Sequence, residues 1–492
     1  EAWCTVENLD KKAPYYKLKV MPADITETKF LEKGNFFLAF DGKGSAASII
    51  VDPNVVFGPN TSLEKPVNFL ANNFKAPARQ MTDGFTPSAF AYKKMELKGK
   101  EEFELYSLFG QIDRLELLNN MTDKLRRPGY LKAKYFENKY LIDNLYSSVN
   151  TESASKSFDL YSKYTFLDNV MRGGLPVKFG GKTTYLYYRK HGDMERDYND
   201  FKLTPTYFSQ GSGNYRDINQ NRRNDLFFNP EIAEDNIRRF YNLIQLDGFN
   251  PLVVLGSQYY LKSARQAESL LSKHFVDPGG GLLEAIVKPF LLGELLKGIE
   301  AQELGYKTSR DEFAADLLDS CETEEAAQHG EGFWTDHFSY NTDLLESFES
   351  IYPDRIKELL FEQNSFTFFD NDHILYPRSI KYRIVGGQVR QYESVHMDLE
   401  KSRLINSREN QKNIVRANDG RGNIYYTTLA VKILNLIVNK AASFDAEGIG
   451  LEMEADKPDW YDALNGLPGL FGSSLSETLE LKRLCQYLQG HL

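Results

Sequence analysis

The segment from Ile112 to Leu125, IDRLELLNNMTDKL, marks the change of pattern that decides how this chain is organised. Its apolar residues recur at intervals of three and four, the spacing that places them on one face of an α-helix. A second segment of this kind, YFENKYLIDNLYSSV, runs from Tyr135 to Val149. We therefore predict helices here and a helical linker over residues 113–172.

Upstream of this segment, residues 1–112 have the features of a β domain. Asn35–Phe40 (NFFLAF), Ala47–Val51 (ASIIV) and Phe103–Leu108 (FELYSL) are short, aromatic or β-branched, and bounded by Gly, Asp or Pro. Several short strands with turns between them are typical of two packed sheets. The sequence therefore predicts a partial β-sandwich over residues 1–112.

Downstream, residues 173–492 are predicted to be mainly helical. The stretch from Gly173 to Gln220 is rich in Gly, Tyr and Asp and is predicted to be irregular, and long loops of this kind are usually functional. Helices joined by Gly- and Pro-containing loops, without a fixed repeat, favour an (α/α) barrel over a repeat solenoid. The predicted helices are Glu231–Leu246, Leu261–Phe275, Leu282–Gln302, Ser309–Ala327, Thr342–Ile351, Tyr425–Ala442 and Ser476–Gln489.

Two of these helices have clear start signals. Ser309 is followed three residues later by Glu312, which is the pattern of a capping box. Ser474 precedes Glu477 at the same spacing.

Composition argues against several classes of protein. The chain has 492 residues and a net charge of −10, which argues against a nucleic-acid partner. Its three cysteines, Cys4, Cys321 and Cys485, are isolated, which predicts reduced thiols and a cytoplasmic location. No apolar run approaches the 18 residues of a membrane span. The first ten residues contain no Met and no signal-peptide pattern, so we expect a trimmed chain or a fragment.

Several familiar signatures are missing from the sequence. No GxxxxGK[ST], HExxH, paired CxxC or GxSxG pattern occurs. The sequence therefore predicts no P-loop, no metal site and no esterase triad, and no cofactor is expected.

The segment Glu452–Asn465, EMEADKPDWYDALN, places five carboxylates and one indole within fourteen residues. Only Lys457 offers a compensating charge, so repulsion should raise the pKa of at least one carboxyl group. A raised pKa suits a general acid near neutral pH, and an indole offers an apolar face to a sugar ring. The alternative is a loop of helix caps and surface charge. The candidate residues are Asp456, Asp459, Trp460 and Asp462.

The segment Ser209–Asp225, SQGSGNYRDINQNRRND, is the second candidate. Gly-Ser-Gly allows close approach of the backbone, and the following side chains form a dense set of bidentate donors and acceptors. Such a set suits the hydroxyls of a sugar, and its arginines suit an anion such as phosphate. A loop with surface ion pairs is the alternative. The candidates are Arg216, Asp217 and Gln220 for sugar and Arg222 for phosphate.

Two further segments mix aromatic and polar groups. In Glu331–Asp343, EGFWTDHFSYNTD, Trp334 is a candidate for sugar binding, and a structural role is the alternative for His337. In Asn418–Tyr426, NDGRGNIYY, Arg421 lies between glycines before a predicted helix. Backbone N–H groups at a helix start can bind an anion, so Arg421 is a second phosphate candidate beside an ordinary turn.

Taken together, QGSGNYRDINQN and DKPDWYDALNG resemble the cellobiose phosphorylase-like inverting glycoside phosphorylases. The longer stretch EMEADKPDWYDALNGLPGLFGSS looks closer to the branch that acts on large β-gluco-oligosaccharides. The resemblance implies a mixed α and β, multidomain chain: an N-terminal β-sandwich, a helical linker, and an (α/α)6-barrel over residues 173–492. Because the chain ends at or near a helix after roughly eight to ten predicted barrel helices, we expect the C-terminal part of the barrel to be missing.

The resemblance also implies an activity and roles for particular residues. The activity is reversible phosphorolysis of a β-gluco-oligosaccharide to α-glucose 1-phosphate, with inorganic phosphate as co-substrate. Asp462 matches the general acid, with Asp459 as second choice, and Trp460 matches a residue that lines the glucosyl subsite. Arg216 and Asp217 match residues that hold the hydroxyls of that glucosyl unit.

The chain departs from the family pattern at Tyr461, where Asn is common. One alternative function is an inverting hydrolase on the same barrel, with water and a base in place of phosphate. Another is a carbohydrate-binding protein without activity. The expected partners are the oligosaccharide and phosphate, with no nucleic acid or membrane, and a homodimer is a candidate assembly.

Overall fold

The computed structural model describes residues 4–20, 28, 30–186, 213–330, 332–391, 395–444, 448–452 and 473–492. The protein is a mixed α and β, multidomain chain with small antiparallel sheets. It divides into two compact units, Glu1–Leu145 (unit 1) and Tyr146–Leu492 (unit 2). This boundary lies inside the region predicted to be a helical linker.

The strands in the described part of the chain are short, and all of their pairings are antiparallel. They are β1 (Cys4–Glu7), β2 (Tyr15–Leu18), β3 (Gly34–Asp41), β4 (Ser48–Ile50), β5 (Phe90–Tyr92), β6 (Leu105–Ile112), β7 (Leu175–Phe179), β8 (Lys182–Leu186), β9 (Gly213–Asn214), β10 (Val253–Tyr260), β11 (Glu322–Gln328), β12 (His373–Leu375), β13 (Tyr382–Val385), β14 (Gln388–Gln391), β15 (Val395–Met397), β16 (Leu451–Glu452) and β17 (Ser473–Ser474).

The helices are concentrated in unit 2. They are α1 (Pro53–Phe57), α2 (Leu115–Leu125), α3 (Tyr130–Tyr146), α4 (Lys156–Gly173), α5 (Tyr215–Arg222), α6 (Asp225–Phe228), α7 (Asp235–Asn242), α8 (Ala264–His274), α9 (Gly279–Val287), α10 (Leu292–Ala301), α11 (Arg310–Ser320), α12 (Ser339–Ile351), α13 (Arg378–Lys381), α14 (Leu399–Asn406), α15 (Leu429–Ala442) and α16 (Leu475–His491). Short 3₁₀ turns lie at Ser147–Val149, Pro230–Ile232, Thr335–Phe338 and Pro353–Arg355, and a π-turn lies at Glu358–Glu362.

Unit 1 is built on a four-stranded sheet with the order β1-β2-β3-β6. Side chains alternate across β3, so Phe37 and Ala39 face one side, where Ile49 of β4 packs against them. Leu38 and Phe40 face the other side, where α2 packs through Leu118 and Leu125. The predicted strands near residues 35, 47 and 103 and the helix after residue 112 are therefore confirmed.

Unit 2 contains two hydrophobic cores. In the first, α5, α7, α12, α15 and α16 pack around fully buried aromatic and aliphatic residues such as Tyr215, Phe240 and Leu436. In the second, α8 to α11 pack beneath strands β7, β8 and β10. The predicted helices near residues 231, 261, 342, 425 and 476 are confirmed, with ends that shift by a few residues.

Two of the predicted helices are wrong in extent. The helix predicted over Leu282–Gln302 is divided into α9 and α10, because Pro289 lacks an N–H and forces Lys288 before it into an extended conformation. The helix predicted over Ser309–Ala327 ends at Ser320, and the rest is strand β11. Pairing with β10 outweighs the local helix preference of that segment.

In the segment from Gly173 to Gln220, the described residues 173–186 and 213–220 are more regular than predicted. Strands β7 and β8 form a hairpin, and α5 begins at Tyr215. Gly180 turns the hairpin at a φ of 60°, and a Cβ there would lie 2.2 Å from the Asp319 carboxylate. Among the helices of the described ranges, none is long and apolar enough to cross a membrane.

The capping box at Ser309 gives a stability prediction. Glu312 donates its N–H to the Ser309 hydroxyl over 3.2 Å, and its carboxylate accepts the Ser309 N–H over 2.8 Å. We predict that Ser309→Ala lowers the stability of unit 2 by about 1 kcal/mol, because the N–H of Glu312 loses its acceptor. The measurement is the midpoint of urea unfolding. Ser309→Thr, which keeps the hydroxyl, is the matched control, and an equal midpoint for the alanine variant and the wild type would contradict the prediction.

Candidate functional site

The first turn of α5 presents the side chains of the second candidate segment. Asn214 begins the helix by accepting the N–H of Arg216 over 3.1 Å, which is an N-cap of the usual kind. Tyr215 is fully buried, whereas Gln220 is exposed. Arg216 and Asp217 lie four and three positions before Gln220, so the three side chains share one helix face. The helix thus brings three predicted sugar-binding residues together on one face.

A second segment of the chain meets this face. The Arg216 Nη1 atom lies 3.7 Å from Oδ2 of Asp336, and its Nε lies 3.4 Å from Oδ1 of Asp217. Asp336 belongs to the 3₁₀ turn that follows Trp334. Burial opposes the charge of Arg216, but the nearby carboxylates Asp336 and Asp217 leave its pKa raised overall. The structure thus joins two segments that are 120 positions apart in the sequence.

Two more ionisable side chains face this group. Burial raises the pKa of Tyr340, in the first turn of α12, and the charge of Asp336 adds to the effect. Burial also raises the pKa of Glu477, in the first turn of α16, with Asp336 again adding to it. We call Arg216, Asp217, Asp336, Tyr340 and Glu477 the Arg216 cluster. It lies where the N-terminal turns of α5, α12 and α16 converge.

The sequence pointed to Glu477 only as a capping residue. Ser474 accepts its N–H over 3.3 Å, so the predicted cap is present. A carboxylate at the third position of a capped helix is a common pattern, so nothing in the local sequence marked it as part of a site.

Below the cluster, His337 has a structural environment. It is 2 % exposed, stacks on Tyr215 with ring centroids 5.5 Å apart, and its Nδ1 lies 3.0 Å from the amide of Asn250. Burial lowers the pKa of His337 to about 4. The positive charges of Arg216 and Lys440 contribute to this lowering, and the negative charge of Asp336 opposes it. His337 is therefore neutral near pH 7, and its contacts favour the structural alternative.

Arg222 lies on another face of α5, six positions and about 120° from Arg216. It is 3 % exposed, its Nε donates to the carbonyl of Gly173 over 2.6 Å, and its guanidinium lies 3.5 Å from the ring centroid of Tyr185. This environment does not favour direct contact with a soluble phosphate ion. Beside it, Asp225 accepts the hydroxyl of Tyr185 over 3.0 Å.

Arg421 lies in an exposed turn, and α15 begins only at Leu429. The turn is made by Asn418 and Asp419, both at positive φ, and its carbonyl at Gly420 accepts from Arg408 over 3.0 Å. Arg421 is therefore not at a helix start. Binding of an anion by the N–H groups of a helix start would require that position. No contact within the described ranges joins it to the Arg216 cluster.

Asp456, Asp459, Trp460 and Asp462 lie outside the described residues. The described residues on either side of their segment are Glu452 and Ser473, and these two pair directly across the ribbon of β16 and β17. The carbonyl of Glu452 accepts the Thr335 hydroxyl over 3.2 Å, and Thr335 is next to Asp336. The described residues on either side of this segment therefore lie close to the Arg216 cluster.

The charges of the cluster indicate what it can bind. The guanidinium of Arg216 lies beside the carboxylates of Asp217 and Asp336, which balance its charge. Such a set of fixed donors and acceptors suits the hydroxyls of a neutral polyol better than a phosphate ion. In the described part of the chain, no group of three or more His, Cys, Asp or Glu side chains is arranged to hold a metal ion.

Compared with known proteins, the chain matches no protein-family model and no curated protein.

The Asp225 environment gives a prediction of pH dependence. Burial raises the pKa of Asp225 from 3.8 to about 7, against the opposing charge of Arg222. An acid whose pKa is higher in the folded than in the unfolded state destabilises the fold progressively as pH rises from about 4 to about 7. We predict that Asp225→Asn becomes more stable relative to the wild type over this range, by about 1–3 kcal/mol, since one pKa unit corresponds to about 1.4 kcal/mol.

The measurement is the unfolding midpoint of both proteins at several pH values between 4 and 8. Asp354→Asn, which changes an exposed aspartate, is the control and should follow the wild type. If the unfolding midpoint of Asp225→Asn does not rise relative to that of the wild type as pH rises, the prediction is wrong. Asp225 would then be ionised in the folded protein and stabilised by Arg222.

Proposed function

We propose that this protein is a glycoside phosphorylase that reversibly cleaves β-gluco-oligosaccharides with inorganic phosphate and releases α-glucose 1-phosphate with inversion. The observation that carries the proposal is the position of Glu452, the last described residue before the second motif, beside the turn that contacts Arg216 of the first motif. Arg216 of the first motif contacts Asp336, and Thr335 beside it donates its hydroxyl to the carbonyl of Glu452, the last described residue before the second motif. Residues of the two motifs can therefore serve one substrate, as the resemblance implies.

In this proposal, Arg216, Asp217 and Gln220 bind hydroxyls of the glucosyl unit at the non-reducing end, with Trp334 as a further sugar-binding residue. The two carboxylates beside Arg216 support a neutral sugar there. Phosphate binds elsewhere, and Arg421, which is exposed, remains a candidate for it.

The chemistry follows from these roles. The protonated carboxyl group of Asp462 donates its proton to the glycosidic oxygen as the bond from that oxygen to C1 breaks. A phosphate oxygen attacks C1 from the opposite face and forms the new bond, so the configuration inverts. The deprotonated acid is reprotonated by the reverse reaction or from solvent. No second catalytic carboxylate is needed, because phosphate is the nucleophile.

The finer architecture belongs to the same proposal. We assign unit 1 to the N-terminal β-sandwich with the start of the linker, and the helices of unit 2 to part of an (α/α)6 barrel. The first assignment is supported by the packing of β4 against the four-stranded sheet through Ile49 and Phe37. The second is supported by the convergence of the N-terminal turns of α5, α12 and α16 at the Arg216 cluster, since such barrels carry their sites at one end. A cytoplasmic location, which suits a phosphate-dependent enzyme, is part of the proposal.

An inverting hydrolase is the second candidate, and one observation favours it. Glu477 and Asp336 add carboxyl groups to the cluster, and burial raises the pKa of Glu477. Such a group can act as the base that activates water in an inverting hydrolase. The two functions differ in whether turnover requires phosphate.

We predict that the full-length protein releases glucose 1-phosphate from a β-gluco-oligosaccharide only when phosphate is present. It should also extend an acceptor from α-glucose 1-phosphate, because the glycosyl phosphate keeps much of the free energy of the glycosidic bond. The measurement is sugar release after dialysis against phosphate-free buffer and after phosphate is restored. Release of free glucose at an undiminished rate without phosphate would reject the phosphorylase and favour the hydrolase.

We predict that Asp462→Asn lowers kcat by about 10²–10⁴-fold, the usual contribution of a general acid, because the amide cannot donate the proton. Binding of the oligosaccharide, measured by calorimetry, should persist. Asp459→Asn is the matched control, since it changes the neighbouring carboxylate. If Asp459→Asn abolishes turnover while Asp462→Asn keeps it, the general acid is Asp459.

A further inference from the structure

A stacked pair of imidazoles lies outside the Arg216 cluster. The rings of His329 and His373 are nearly parallel, at 9°, with centroids 4.1 Å apart. The Nδ1 of His373 lies 2.8 Å from the carboxylate of Asp372, so this nitrogen carries the proton and donates it. The rings of His329 and Phe333 are in edge-to-face contact, with centroids 4.7 Å apart. Each ring is therefore fixed by a neighbour.

The same sheet fixes the position of His329 and the position at which α5 begins. Leu252 donates its N–H to the carbonyl of His329 over 3.0 Å and accepts the N–H of Tyr215 over 2.7 Å. Gly330, at a φ of 82°, makes this approach possible, because a Cβ there would lie 2.7 Å from the Cβ of Leu252.

The strand pairing sets the separation of the two backbone segments that lead to Arg216 and His329. Val253 pairs with Asn214 on one side and with Gln328 on the other. Since neighbouring strands lie about 4.8 Å apart, the backbones of Asn214 and Gln328, which precede Arg216 and His329, are separated by about 10 Å. This separation is comparable to the span of a disaccharide.

The outer surface of the pair is flat and partly open. The side chain of His373 is 29 % exposed, and because His329 covers one face of its ring, the exposed area lies on the other face and the edge. Met397 is directly opposite His373 in the ribbon of β12 and β15, so it shares this face, and it is 46 % exposed. The two side chains form a surface that combines an aromatic ring with a polarizable thioether.

The charge of this surface suits a neutral ligand. Burial lowers the pKa of His329 to about 4; His373 contributes to this lowering, and the charge of Asp372 opposes it. The His329 ring is therefore uncharged near pH 7. The carboxylate of Asp372 is already bonded to His373. The outer face of the His373 ring can therefore contact the C–H side of a pyranose, and its Nε2 edge can bind a hydroxyl group.

We propose that His373, backed by His329 and flanked by Met397, is a sugar-binding platform for glucosyl units on the acceptor side of the cleaved bond. This inference rests on the proposed phosphorylase function. Because the backbone segments that lead to Arg216 and His329 run about 10 Å apart, the platform is assigned to units beyond the first acceptor unit. It therefore favours longer acceptors over short ones. His373 acts by binding substrate, and His329 is a positioning residue that holds the His373 ring.

The test measures chain extension from α-glucose 1-phosphate with acceptors of increasing length. For His373→Ala, KM for a β-gluco-trisaccharide should rise about tenfold, which corresponds to about 1.4 kcal/mol of lost binding. KM for a monosaccharide acceptor and KM for glucose 1-phosphate should stay close to the wild-type values. His373→Phe keeps a flat ring and should recover most of the preference for the longer acceptor.

The matched control is His491→Ala, which removes a histidine near the opposite end of α16, about 20 Å along the helix from Glu477. It should leave all KM values unchanged. An unchanged KM for the trisaccharide in a folded His373→Ala variant overturns the platform, as does an equal rise for every acceptor length and for glucose 1-phosphate.

Failure of the phosphorylase itself is recognised separately, because the wild type would then show no extension from glucose 1-phosphate. In that case the platform is judged by titration calorimetry with the same oligosaccharides. Weaker binding of the trisaccharide to His373→Ala than to the wild type supports it. Equal binding to both proteins, or no binding to the wild type, overturns it.

Discussion

The backbone of Leu252 is the point on which both sites of unit 2 depend. Its carbonyl accepts the N–H of Tyr215 at the start of α5, and its own N–H donates to His329 after β11. Each bond satisfies a buried backbone group that would be costly to leave unpaired. Because one residue holds both segments, the direction of the Arg216 side chain and the position of the imidazole pair are linked through a single strand.

The three-stranded sheet β11-β10-β9 extends this constraint. β10 carries Val253 between Asn214 and Gln328, so the cap of α5 and the end of β11 have a fixed separation. α12 then packs beside α5 and α16 through the buried core around Leu345 and Leu484, which brings the turn at Asp336 and the first turn of α16 to the same end. Packing density makes such an arrangement rigid, since buried side chains in the core have few alternative positions.

Rigidity of this kind has a consequence for binding. Hydroxyl groups of a sugar are recognised by donors and acceptors that hold their positions before the ligand arrives, because little side-chain entropy is then lost on binding. Arg216 is positioned between two carboxylates, and His373 is positioned between a carboxylate and a second ring. Both groups are thus organised by contacts within the protein. Arg222 on another face of α5 and Asp225 at the start of α6 serve the fold instead, through the Gly173 carbonyl and Tyr185.

The sequence by itself determined the features that depend on near neighbours along the chain. The strand at Asn35–Phe40, the helix after Ile112 and the caps at Ser309 and Ser474 all follow from residues within one or two turns of each other, and local propensity and capping act over that range. The break at Pro289 was readable in the same way, from the missing N–H of proline, although the spacing of apolar residues concealed it.

Only the tertiary structure decided the rest. Strand β11 formed where a helix was predicted, because its pairing with β10 joins residues about 70 positions apart, and no local pattern reports such a partner. The meeting of Arg216 with Asp336 spans 120 positions, and that of His329 with His373 spans 44. Residue types could mark these side chains as candidates, but their distance, burial and charge balance arise from long-range packing, which the order of residues along the chain does not display.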